Sequence, residues 1–290
     1  MTQPEVPVEP PSGSLPGLSL ADVRQPGWDV SPRVRALVTT RNGGVSLPPY
    51  GRWLDGVDRP GGLNLGRLAG DDPACVAENR ARLMTLTGVQ DAAWLEQIHG
   101  AEVVRAEDVL AQARESASIT RADASVTNQP GTICVVMVAD CMPVLLCDAS
   151  GRAVGAAHAG WRGLAAGIVE KTAQRVAGLA GVPLQSLHAY LGPSIGPDAF
   201  EVGADVRDAF MNGVDDAQRE ATARAFVPRA AAPGKYLADL PALARLRLQR
   251  LGVTQITGGD TCTVTERERF YSYRRDRVTG RMAAMIWLAD

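Results

Sequence analysis

Apolar residues gather along this chain in short runs broken by glycine, proline and small polar residues. Two of these runs, Thr132–Val138 and 143–147, are continuous and rich in β-branched residues, the pattern of strands buried on both faces. Between them stands Ala139-Asp140-Cys141-Met142, a polar interruption with a cysteine in it. A third run, 153–157, ends in His158, after which Ala159-Gly160-Trp161-Arg162-Gly163 opens a helix. Over 164–180 the apolar residues recur at nearly 3.6-residue spacing, which predicts one helix packing a single face on a sheet. Further strands are predicted at 34–40, 94–98 and Leu187–Leu191, the last with His188 facing away from Leu187 and Ala189 in a structural role.

The remaining pattern is less regular. Helices are predicted at 74–88, stopped by Gly88, at 202–211, and at 241–251 with Asp239 as its cap. The end of the chain reads as a hairpin, 270–274 and Met282–Leu288 about a Thr279-Gly280 turn. Residues 212–234 are polar and alanine-rich, with no element predicted. Residues 1–32 carry seven prolines and no periodicity, so they read as a disordered or extended arm ahead of a domain over 33–290.

Composition narrows the class. At 290 residues with 46% hydrophobic and 21% charged residues, the chain is an ordinary globular protein able to bury a full core. A net charge of −2 argues against a dedicated nucleic-acid binder, and no apolar run reaches the roughly 20 residues needed to span a bilayer. The first residues lack a basic and then apolar secretory pattern. Five cysteines, mostly within apolar strands, fit buried thiols in a reducing compartment, the cytoplasm.

Candidate chemistry sits at the ends of the predicted strands. The chain has only three histidines, and two of them, His99 and His158, end apolar runs as Cys141 does. Two imidazoles and a thiolate could hold a zinc ion with a fourth position left for water, whose proton the metal makes labile. Cys141 as a thiolate nucleophile with His158 as its base is a second reading, and copper with Met142 as an added thioether is a third. Asp123 could be a turn former or a catalytic carboxylate. Arg41 beside the Asn42-Gly43-Gly44 turn, or Arg162 at a helix N-terminus, could cradle an anion.

These residues stand in recognisable company. Gln97-Ile98-His99-Gly100, Ala122-Asp123-Ala124, Ala139-Asp140-Cys141-Met142-Pro143-Val144, Ala157-His158-Ala159-Gly160-Trp161-Arg162-Gly163 and 270–275 closely resemble the laccase-domain, or YfiH-type polyphenol oxidase, family of purine nucleoside phosphorylase-like proteins. The similarity runs from about Val34 to the C-terminus and includes Asn64-Leu65-Gly66 and Glu78-Asn79-Arg80. It implies one α/β (α+β) domain of mixed β-sheets with flanking helices. It also implies His99, Cys141 and His158 as metal-binding and active-site residues, with Zn2+ (Cu2+ possible) as cofactor. Asp123 is then the candidate for proton transfer or ribose binding, and Arg41, Asn64 and Arg162 for substrate binding.

The implied activities are phosphorolysis of adenosine, inosine and methylthioadenosine, and deamination of adenosine. Partners are then purine nucleosides and phosphate, with no nucleic acid or membrane, for a monomer or weak homodimer. The family usually has a cysteine in the segment matching 195–200, where this chain has Asp198-Ala199. Laccase chemistry itself needs many more histidines than three, so phosphorolysis and deamination fit the residues better. The rival readings are a Cys-His hydrolase acting on amide or peptide-like bonds, a copper-dependent polyphenol oxidase, and a non-enzymatic metal-binding or partner-binding module.

Overall fold

In the computed structural model, which describes residues 17–116 and 118–290, Thr132–Val138 is a strand whose side chains leave in two directions. Ile133 and Val135 join Leu63, Leu65 and Leu83 on one side, while Cys134 and Val136 meet Leu145, Cys147, Val154 and Ala156 on the other. A strand apolar on both faces needs a cover on each. Here one cover is the Pro73–Thr87 helix and the other is a second sheet. Met142–Asp148 is buried along its whole length for the same reason: Leu145 and Cys147 face the first sheet, while Met142, Val144 and Leu146 face helices.

The first sheet runs in the order Val23–Arg24, Val34–Thr39, Met282–Leu288, Thr132–Val138, Asp91–Ala93. The second runs Gln255–Gly258, Leu187–Leu191, Met142–Asp148, Val154–Ala159, Ala124–Thr127, Val103–Arg105. Pairing is antiparallel in the centre of each, with parallel pairs at Asp91–Ala93, Gln255–Gly258 and Val103–Arg105. Ile168–Ala180, Ala204–Met211 and Leu240–Arg250 cover the outer face of the second sheet. The result is a mixed α/β fold with two sheets sandwiched between helices, the fold class that the family resemblance implied. No helix among the described residues is long and apolar enough to cross a membrane.

Several elements differ from the sequence expectation. Of the arm expected over 1–32, residues 1–16 lie outside the described residues. From residue 17 onward the chain lies against the domain. Val23–Arg24 pairs with Thr39 and Val38, and Trp28 sets its ring edge-on to Tyr190. The strand expected at 94–98 falls earlier, at Asp91–Ala93, with a single bridge from Glu96 to Arg121. The helix expected over 164–180 is broken into Trp161–Ala165 and Ile168–Ala180 by Gly167, whose φ of +89° is a conformation only glycine adopts freely.

The expected C-terminal hairpin does not form. Both edges of Met282–Leu288 are taken, by Val34–Thr39 and Thr132–Val138, so 270–274 has nowhere to pair. Phe270 and Tyr271 are instead buried beside Val138 and Met282, and Tyr273–Asp276 is a short helix. Ala106–Ser116, Asp216–Arg224 and Phe226–Pro228 form elements that the pattern did not predict.

The Ile168–Ala180 helix crosses the second sheet closely at Gly155. A Cβ there would lie 2.9 Å from methyl groups of Val126 and Val176. Gly155→Ala is therefore expected to cost about 1–3 kcal/mol through overpacking. Gly178→Ala, on the open side of the same helix with nothing within 4 Å, should gain up to about 1 kcal/mol from helix propensity. Urea unfolding of the two variants checks the contrast.

Candidate metal centre

Strand register brings two of the candidate residues together. Met142–Asp148 and Val154–Ala159 pair with Pro143 opposite His158 and Met142 opposite Ala159. Cys141, one residue before the first strand, therefore lies beside Gly160, one residue after the second. A Cβ on Gly160 would come within 2.9 Å of Cys141 Sγ and 3.1 Å of His99 Cδ2. His99 arrives on a separate loop, moored by Gln97. The Gln97 side chain accepts from Met137 N–H at 2.7 Å and donates to Met137 C=O at 2.8 Å, so it continues the sheet with a side chain.

Asp123 joins the pieces. Its buried carboxylate accepts from the backbone N–H of His99 at 2.9 Å and of Gly100 at 2.7 Å, and contacts His158 Nδ1 at 2.9 Å. Its own carbonyl accepts from His158 N–H at 2.7 Å. With Nδ1 of His158 held in this way, Nε2 is the ring nitrogen left for other work. Asp140, the residue before Cys141, is buried with φ +89°. Its side chain accepts from Thr263 Oγ1 and from Arg274 N–H, each at 2.6 Å, which draws two C-terminal segments to the same place.

One nitrogen each from His99 and His158 and the sulfur of Cys141 all lie within 4.8 Å of one another. Sγ is 3.8 Å from His99 Nε2, and the two imidazoles meet edge to face with centroids 4.8 Å apart. A tetrahedral ion with bonds of about 2.0–2.3 Å wants ligand atoms roughly 3.3–3.8 Å apart, so the donors fit a metal after small adjustment. With no metal bound, the same groups form an ion pair. Burial alone would raise the Cys141 thiol, but His158 and His99 outweigh it and lower the pKa to about 6. Burial would likewise lower His158, but Cys141 and Asp123 raise it to about 9. Asp123, despite a burial that pushes its pKa upward, is held below the ordinary carboxylate range by hydrogen bonds from His158 and the Gly100 and His99 amides.

The three residues line a cavity of about 990 Å³. Trp94, Trp161, Phe200 and Tyr273 contribute aromatic surface, and Arg67, Arg80, Arg162, Arg274 and Arg281 contribute positive charge. Arg162 lies in this lining, with its guanidinium over the Trp161 ring. Arg41 does not reach the cavity. It is buried, its guanidinium donates to Gly51 and Arg267 carbonyls and pairs with Asp58 at 2.8 Å, and it serves as a structural clamp rather than an anion cradle. Asn64 sits behind the wall, accepting from the N–H groups of Gly66 and Arg281. Met142 packs into the core with Val144 and Leu146, so its thioether does not reach the centre. His188 lies within the second sheet opposite Cys147, and Asp198 is exposed.

Residues 35–289 match the family described as multi-copper polyphenol oxidoreductase laccase. The chain belongs to this family. A relative from Escherichia coli (strain K12) named purine nucleoside phosphorylase YfiH is 50% identical over 264 residues, which are 91% of this chain and 97% of that protein. One from Pseudomonas aeruginosa named purine nucleoside phosphorylase PA4543 is 48% identical over 91% of this chain and 98% of its own. A crystal structure of a Neisseria meningitidis protein, 46% identical, superposes with a TM-score of 0.80 over 93% of this chain and all of that one.

For a member of the laccase-domain family, some of what shapes this site is not flagged by residue chemistry alone. Gly160 matters through the side chain it lacks, and Gln97 through a backbone-like pairing. Arg281 follows a glycine turn with no local signal of its role. Arg80 stands in Glu78-Asn79-Arg80, within the family pattern, but its direction depends on the fold.

Two outcomes follow from the geometry. In metal-free protein, iodoacetamide should modify Cys141 at a rate that rises through a midpoint near pH 6, since deprotonation makes the reactive thiolate. Buried Cys134 and Cys147, whose pKa values burial drives upward, should stay unmodified, as peptide mapping will show. Gly160→Ala should displace Cys141 and His99 and weaken metal binding by at least about tenfold, the scale of an orientation defect, as measured by competition with a chromophoric chelator.

Proposed function

We propose that this laccase-family protein is a purine nucleoside phosphorylase acting on adenosine, inosine and methylthioadenosine, with adenosine deamination as a second activity. The observation that carries the reading is the convergence of His99, Cys141 and His158 on the wall of a cavity large enough for a nucleoside and phosphate together. The names of relatives about half identical to the chain support the same substrate class. In this reading His99, Cys141 and His158 hold zinc, which when bound supplies a Lewis acid and activates water.

The protein's own groups do the rest. Asp123 fixes the tautomer of His158 and the position of His99, so the ligand set is preorganised before substrate arrives. Trp161 and Tyr273 give the cavity aromatic surface against which a purine can pack, and Arg162, lying over Trp161, offers donors beside it. In phosphorolysis a phosphate oxygen bonds C1′ while the C1′–N9 bond breaks. The electron pair leaves on the purine, which takes up a proton. The protein acts in the cytoplasm as a monomer or weak homodimer.

A second reading has one observation in its favour. Without a metal, His158 holds the Cys141 pKa down and Cys141 with Asp123 holds that of His158 up, which favours the thiolate–imidazolium pair a Cys-His hydrolase uses. Elemental analysis separates the two, because a stoichiometric metal on Cys141 removes the free nucleophile.

Zinc-loaded protein should release hypoxanthine from inosine only when phosphate is present, and ammonia from adenosine without it, as followed by liquid chromatography. Cys141→Ala should abolish both reactions, and Asp123→Asn should lower them about 10–100-fold through loss of ligand orientation. Unchanged turnover in Cys141→Ala would remove the metal centre from the mechanism.

A further inference from the structure

Arginines that are well enclosed elsewhere in this protein have carboxylate partners: Arg41 has Asp58, Arg247 has Glu170 and Arg275 has Asp276. Among the described residues, none of the five arginines lining the cavity forms an ion pair. Arg67 and Arg162 are exposed and solvated, and Arg274 spends its Nη1 on the carbonyls of Ala199 and Glu201. Arg80 and Arg281 are different. Both are half-buried in the cavity lining with no carboxylate partner, and the nearest negative groups acting on Arg281 are Cys141 and Asp140.

Their aim is fixed by one short segment. Arg80 donates from Nε to the Leu65 carbonyl at 2.9 Å, and its guanidinium carbon sits over Trp94, 3.8 Å from the ring centre. Arg281 accepts from the Leu65 N–H at 3.0 Å through its carbonyl, and its own N–H is held by Asn64 at 2.8 Å. Its Nη1 donates to Thr279 and Gly280 carbonyls. Nη2 of Arg80 lies 3.6 Å from Met137 Sδ, and among the described residues Nη1 of Arg80, and Nε and Nη2 of Arg281, have no hydrogen-bond partner. The nearby carboxylates are committed elsewhere: Asp71 to Ser46 and Asn64, Asp140 to Thr263 and Arg274, and Glu96 to Arg121. Two guanidinium forks with free donors and no carboxylate partner, one anchored on Leu65 by its side chain and the other by its backbone, suit a tetrahedral oxyanion.

We propose that Arg80 and Arg281 form the subsite for inorganic phosphate, an assignment that rests on the phosphorylase reading for its role in turnover. The dianion is then held against the wall of the cavity that also carries Cys141, with one oxygen left to attack C1′. Arg80 lies behind the Asn64-Leu65-Gly66 turn on the Pro73–Thr87 helix and Arg281 ahead of the last strand, so the subsite joins two distant parts of the chain.

The test uses full-length, zinc-loaded protein and inorganic phosphate as the probe. Titration calorimetry with phosphate, in the presence and absence of nucleoside, is run on wild type, Arg80→Gln and Arg281→Gln. Each variant should bind phosphate at least about tenfold more weakly, and the KM for phosphate should rise while the KM for inosine holds. Arg80→Lys and Arg281→Lys keep the charge but lose the fork, and should fall between wild type and the glutamine variants. Melting temperature and zinc content identify any variant that has misfolded, and for it the lysine variant alone is decisive. Wild-type phosphate affinity in folded variants, or no phosphate binding by wild type with nucleoside present, overturns the assignment. If the variants lose phosphate but wild type releases no base, the subsite stands and the phosphorylase reading falls. If wild type releases base and the variants keep its phosphate KM, the reverse holds.

Discussion

The site depends on one buried carboxylate. Asp123 is enclosed, and a carboxylate in such a place survives only if donors surround it. The donors it finds are the amides of His99 and Gly100 and the Nδ1 of His158, so the groups that stabilise the charge are the same ones the site must orient. Removing the carboxylate would do more than delete a hydrogen bond. It would release a loop, a ring tautomer and the register of one imidazole against the other.

Two unusual backbone conformations show how much of the fold is bent to this end. His99 and Asp140 have φ of +58° and +89°, a region that costs a non-glycine residue about 1–3 kcal/mol. Each sits where a chain must turn sharply to present the next atom to the centre. Each is also held by more than one contact: His99 by Asp123, Cys141 and the His158 ring, and Asp140 by Thr263, Arg274 and the Ile195 N–H that its carbonyl accepts. The strain persists because the surrounding elements outvote it. The C-terminal segment, the 192–197 loop and the central strands thereby become one rigid frame.

The buried strands were legible because a strand covered on both faces has no choice of residues. Thr132–Val138 and the 143–147 run admit only apolar side chains, and they announce themselves without a partner in view. Residues 270–274 were misread because aromatic content suits a strand and a buried loop equally. What decided between them was the occupancy of both edges of Met282–Leu288, a fact about pairing that the local sequence cannot express. In the site, donors such as His99, Cys141, His158 and Asp123 were legible through residue type and family pattern. Arg41 misled, because an arginine beside a glycine turn looks the same whether it faces a ligand or, as here, Asp58 and two carbonyls. Gly160 and Arg281 act through distance and direction, which the linear pattern does not carry.

The family's description speaks of several coppers, and the placement of the donors sets that against what this chain can hold. Three histidines exist in all, and the third, His188, is committed to the second sheet opposite Cys147, away from the cavity. Met142, adjacent to Cys141 in sequence, packs into the helical core with Val144 and Leu146, as alternation along Met142–Asp148 dictates. What remains is two imidazoles and one sulfur, a set sized for a single cation, backed by a carboxylate and facing arginines. Positive charge around the open side favours an anionic ligand, whereas the substrates of a phenol oxidase are neutral. The electrostatics of the cavity and the count of its donors therefore argue in one direction, toward chemistry on a phosphate and a neutral nucleoside rather than electron transfer through a metal cluster.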